Sequence, residues 1–155
     1  MADSIRASVA GVQKFVDSIE ALTERIDLAA KRIVEQATIA VADAAKRQFD
    51  GDTSRPPTQP KPTLRTGNLR NSIRRGDAER VEMGHWKASV GPTIKYGRRV
   101  ELGGTSQHSI AFGRQTGKVW TVTTRPFPYL EPGLQEALPE IKLIYEREWK
   151  RALSG

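Results

Sequence analysis

The chain reads as an α+β domain: a long N-terminal helix, a small mostly antiparallel β-sheet and a C-terminal helix. Three observations predict it. Apolar residues recur at steps of three to five from Val12 to Phe49. They alternate with polar ones in the middle of the chain. They then return to helical spacing from Leu134 to Trp149. At 155 residues the chain suits one domain, 1–155, with extensions.

The first element covers 12–49. Phe15, Ile19, Leu22, Ile26, Ala29 and Ile33 form one stripe between charged residues, and Thr23 is a place where the helix can break. Unbroken, it would extend roughly 57 Å at 1.5 Å per residue, longer than a small domain is wide, so part of it is expected to pack on a partner. Residues 50–63 follow, with four prolines between Pro56 and Pro62. Such a run cannot continue a helix or a central strand, and it serves either as a linker or as a mobile arm that orders when a neighbour docks.

The segment 64–128 is the basic, β-rich core. Thr66 is placed to cap a short helix over Gly67 to Ile73. Val81 and Met83, then Trp86, Ala88 and Val90, suggest two strands joined near Gly84 and His85, closed by Gly91-Pro92. A short helical or extended stretch carries Tyr96, Val100 and Leu102, and Gly103-Gly104 ends it. Val119 to Thr124 is rich in β-branched residues and reads as another strand. The last element, 129–152, is a helix with Pro132 in its first turn; Pro139 is expected to kink or restart it.

Chemistry is sparse. There is no cysteine, so no disulfide framework or thiolate site. His85 and His108 are read as solvated turn residues, and HExxH is missing, so no metal site is expected. No nucleophile elbow, phosphate loop or dinucleotide fingerprint occurs. Asp50-Gly51-Asp52 lacks the other ligands of a calcium loop. The expectation is a protein that is not an enzyme and carries no cofactor. The opening residues lack the basic start and apolar core of a secretory signal, and no stretch is long enough to span a bilayer, which predicts synthesis in the cytoplasm and no membrane partner.

The net charge of +7 is concentrated. Residues 1–63 hold 9 basic and 9 acidic side chains, 64–128 hold 12 and 4, and 129–155 hold 4 and 5. A basic surface of this kind suits either nucleic acid or an acidic protein. The candidate contacts are Arg65, Arg70, Arg74, Arg75, Arg98 and Arg99. Arg70 and Arg74 are four apart and would share a helical face, while Arg98 and Arg99 would project outward. Their guanidinium forks suit carboxylates or phosphates, and a simply solvated face is the alternative. Leu69, Ile73, Tyr96, Glu101 and Phe127 are the candidate structural anchors.

Three blocks, taken in order, carry a resemblance. RTGNLRNSI, VGPTIKYGRRVELGG and RPFPYLEPGLQEAL, after a long helix and a proline-rich loop, resemble the tail-completion or neck protein family of long-tailed bacteriophages. The matching positions are Thr66, Gly67, Leu69, Arg70, Ser72 and Ile73; Val90, Gly91, Tyr96, Val100, Glu101 and Gly103; and Pro126, Phe127, Leu130 and Pro132. The resemblance spans 12–152. It implies a structural virion protein of the head-to-tail junction, made in the host cytoplasm and located in the neck or tail. It also implies a ring, with a hexamer as the hypothesis matching a tail tube, between connector proteins and the tail tube or terminator proteins. The long helix and the loop would make subunit contacts. The competing reading is a nucleic-acid-binding module whose arginines contact DNA phosphates, although no recognition-helix or zinc-finger signature is present.

Overall fold

A computed structural model of the chain describes residues 2–49, 62, 67–109 and 119–154. The element order is α1 (Ala2–Arg47), α2 (Asn68–Ser72), β1 (Ile73–Arg75), β2 (Glu79–Glu82), β3 (His85–Lys87), β4 (Val90–Pro92), α3 (Gly97–Leu102), β5 (Gly104–Ser109), β6 (Val119–Thr124) and α4 (Leu130–Ser154). The class is α+β. Among the described residues the strands form three separate two-stranded antiparallel ladders, β1 with β4, β2 with β3 and β5 with β6, in place of one small sheet.

Helix α1 does not break at Thr23. The threonine hydroxyl donates to the Ile19 carbonyl 2.8 Å away, so the side chain bonds within its own helix. Helix α4 likewise passes through Pro139, which is exposed, without restarting. The loop 50–63 lies outside the described residues except for Pro62, and Thr66 lies outside them altogether. The N-cap position of α2 belongs to Gly67, which adopts a left-handed φ of 73°.

The strand boundaries differ from those read in the sequence. β3 ends at Lys87, and Val90 opens β4, whose partner is β1, a segment read as the end of a helix. The chain leaves α2 at Ile73, where φ −67° and ψ 116° are extended. The β2–β3 register shifts between Arg80 and Glu82. β5 begins at Gly104, where an end was expected, and pairs residue for residue with β6. The two histidines therefore lie in β3 and β5 and not in turns.

Contacts divide the chain into two compact units. Unit 1 comprises Met1–Thr38, Gly76–Ser89 and Pro139–Gly155; unit 2 comprises Ile39–Arg75 and Val90–Leu138. The core of unit 2 is Ala42, Ala45, Ile73 and Tyr129, with Phe49, Leu69, Val90, Val100 and Leu130 packed around it. The Tyr129 and Phe49 rings lie 5.0 Å apart, and a Cβ on Gly133 would come within 2.6 Å of the Ala45 backbone. Glycine at 133 thus lets α4 approach α1 closely. Unit 1 buries small residues, Ala29 and Ala152, together with Ile144 and the carboxylate of Glu148.

Candidate interaction surfaces

Unit 2 carries an open groove of about 410 Å³ between β4, α3 and the start of α4, lined by Val90, Pro92, Ile94, Leu102 and Leu130, with Arg98 and Glu101 as its charged members. Short-range links fix its walls. Gly97 lies flush on the Pro92 ring, where a Cβ would collide with the ring carbons. Gly103 ends α3 at φ 68°, and a Cβ there would lie 2.8 Å from the Thr124 carbonyl. The Glu101 carboxylate accepts from the backbone N–H groups of Tyr129 at 2.8 Å, Leu130 at 3.0 Å and Glu131 at 3.2 Å. These donors have no partner inside the helix, so Glu101 caps α4 from α3. The Tyr129 hydroxyl donates to the Gly97 carbonyl at 3.3 Å, and its pKa is pushed up to about 12 by burial and by the Glu101 charge. The groove is apolar with a basic edge. Leu102 stands 64% exposed beside it, and Tyr96, Lys95 and Arg98 are exposed nearby in sequence.

In unit 1, the early part of α1 exposes Val12, Phe15, Val16 and Ile19, with Phe15 at 67%. Their spacing places all four on one face, and Gln13, Asp17, Glu20 and Glu24 run beside it. Farther along α1, Asp27 holds the β2–β3 hairpin. One carboxylate oxygen accepts from the Gly84 N–H at 2.7 Å and the Trp86 Nε1–H at 3.1 Å, and lies 3.3 Å from Arg80 Nε. The Gly84 N–H is the main reason the Asp27 pKa is lowered; desolvation opposes it, and the Trp86 and Arg80 contacts lower it further. Lys31 Nζ lies 5.5 Å from the Trp86 ring centroid. The hairpin leaves Val81 and Met83 exposed. Glu148 is buried, which alone would raise its pKa. Hydrogen bonds from Arg147 and Gln36 and the charges of Arg151 and Arg147 reverse this and hold it low.

Known proteins supply the context for these surfaces. Residues 13–103 match the model of a family described as "Bacteriophage HK97-gp10, putative tail-component". The chain belongs to this family. Membership makes it a phage tail-related structural protein with a virion location, and it fits the expected tail-completion or neck class. No curated protein and no solved structure matches. The family span includes α1 from Gln13, both hairpin partners of unit 1 and the groove walls contributed by β4 and α3. The third sequence block, Arg125 to Gly133, lies beyond it.

The candidate residues divide. Arg70 is exposed in the last turn of α2, but Arg74 and Arg75 lie exposed in β1, so Arg70 and Arg74 do not share a helical face. Successive strand residues point to opposite faces, which also separates Arg74 from Arg75. Arg98 is exposed. Arg99 does not project beside it: its guanidinium bonds Thr124 Oγ1 at 3.1 Å, the Val122 carbonyl at 3.1 Å and Ser106 Oγ, tying α3 to the β5–β6 hairpin. Arg65 lies outside the described residues. Among the anchors, Ile73 is fully buried and Leu69 half-buried, while Phe127 is half-buried and its N–H donates to the Val100 carbonyl at 2.8 Å. Tyr96 is 49% exposed and does not anchor the core; Tyr129 does. The sequence does not mark Asp27 or Tyr129, and Glu148, which beside Glu146 reads as a solvated surface charge, is instead buried. Tyr129 directly precedes α4, but tyrosine is not a capping residue type, so nothing local in the sequence marks it, and no local pattern marks Asp27.

Proposed function

We propose that this chain is a ring-forming structural subunit of the phage head-to-tail junction, a neck or tail-completion protein that joins connector and tail tube. The observation that carries the reading is the number of large apolar side chains left exposed on regular elements, set within a chain of a tail-component family. Phe15 on α1, Met83 on the hairpin, Leu102 beside the groove and Leu143 on α4 are each more than half exposed. Exposed apolar surface of this extent is characteristic of chains that bury it against partners. The test is mass measurement across a concentration series, alone and with connector and tail proteins, with electron microscopy of the products. A ring with a central hole is expected. A strict monomer that joins no neck component overturns the reading.

A second role, contact with DNA phosphates, is favoured by the exposed Arg70, Arg74, Arg75 and Arg98 in unit 2. It predicts binding that falls steeply with salt and shows no sequence preference. Tight, sequence-selective binding by the monomer would instead support a dedicated nucleic-acid module.

A further inference from the structure

We infer that the α1 stripe of Val12, Phe15, Val16 and Ile19 docks into the unit 2 groove of a second copy of this chain; the inference rests on the self-association proposed above. The stripe has the i, i+3, i+4, i+7 spacing by which a helix presents its anchors to an apolar groove. The open groove, at about 410 Å³, falls in the roughly 300–1,000 Å³ range of binding clefts, enough for Phe15 and a neighbour. Charge selects the occupant. Asp17, Glu20 and Glu24 run along one flank of the stripe, with Lys14 and Arg25 on the other; in the groove Arg98 is exposed, Lys95 is exposed next to Ile94, and Glu101 is engaged in capping α4. The acidic flank of the helix and the basic edge of the apolar groove are complementary, so the chain carries both halves of one interface. They are different patches, and the contact is therefore heterologous. Each docked pair leaves one free stripe and one free groove, the arrangement that builds a ring when the rotation closes.

The experiment uses the full chain and two surface variants, Phe15→Asp and Leu102→Asp, read by mass across a concentration series. Each alone weakens self-association about 30-fold or more, the effect of removing a central anchor. Mixed in equal amounts, they form complexes of two and no larger. The intact stripe of Leu102→Asp fills the intact groove of Phe15→Asp, and the remaining stripe and groove are both defective. Because the chain has no cysteine, a Val16→Cys/Leu102→Cys double variant adds a covalent readout: oxidation is expected to link chain to chain. Variants that assemble like wild type overturn the inference and leave the neck reading standing. A mixture without pairs, or a disulfide that closes within one chain, also overturns it. Wild-type protein that stays monomeric overturns it too, and the neck reading then falls only if the protein also joins no connector or tail component.

Discussion

Unit 2 is held mainly by burial and unit 1 mainly by charged hydrogen bonds, and the two therefore respond to different insults. In unit 2, Ala40, Ala42, Ala44, Ala45, Ile73, Tyr129 and Ala137 are all buried. Its one central carboxylate, Glu101, serves a helix terminus. Among the described residues of unit 1, only Ala29, Ile144 and Ala152 are buried apolar residues, and order comes from Asp27 beneath a hairpin and Glu148 among arginines. A thin core leaves apolar side chains on the surface, and directional polar bonds keep them in place. This combination suits a segment that completes its packing on another molecule.

The sharpest way to break the comparison is to excavate the core of unit 2. Ile73→Ala should cost about 2–5 kcal/mol, because Ile73 is fully buried against Tyr129 and Ala45 and the gap cannot close without moving helices. Denaturant titration measures the loss, and hydrogen exchange should show it in the amides of β1 and β4. An effect below 1 kcal/mol would mean that unit 2 is not core-held. Glu101→Ala comes next, at about 0.5–2 kcal/mol, the usual value of a helix cap. Faster exchange at the amides of Tyr129, Leu130 and Glu131 is the specific signature, since these are the donors Glu101 satisfies.

Tyr129 provides a pH test of the same unit. Its folded pKa, about 12, lies above the ordinary 10. The unfolded chain therefore releases this proton first, and the stabilising contribution, complete below pH 10, is lost as pH rises from 10 towards 12. Absorbance titration should show a phenol ionising near pH 12 that disappears in Tyr129→Phe. Its persistence in that variant would assign the late titration elsewhere.

How much of this was legible in the sequence follows from the range of the forces involved. Both long helices were readable because 3.6-residue periodicity is local and continuous in α1 and α4. The ladders were not. β1 is only Ile73–Arg75 and joins directly to α2, and β5 is Gly104–Ser109, a polar run with no apolar alternation. Both are strands because a partner lies some 10 to 20 residues on, across a close antiparallel pairing. At the surfaces, Arg98 and Arg99 are adjacent and chemically identical, yet only the position of β6 decides that Arg99 is tethered while Arg98 stays free to line the groove. Tyr96 and Tyr129 show the same ambiguity between exposed and buried tyrosine.

Asp27 gives the smallest global effect and the clearest contrast with unit 2. Its partner Gly84 is 57 residues away, and the left-handed turn of Gly84, φ 72°, aims its N–H at the carboxylate. Asp27→Asn retains one acceptor oxygen but removes the charge that strengthens all three contacts, so hairpin amides should exchange faster while β1 and β4 remain protected. Acid should mimic the substitution. The folded pKa is lowered, so the contribution is present above the ordinary carboxylate pKa and is lost as pH falls through the lowered value. Trp86, whose Nε1–H donates to Asp27, reports the event through its fluorescence if Trp120 and Trp149 are first replaced by Phe. An acid transition in Trp86 that persists in Asp27→Asn would remove Asp27 as the cause. A transition that vanishes there, with unit 2 still protected, would show that the hairpin is held by this one carboxylate independently of the Ile73 core.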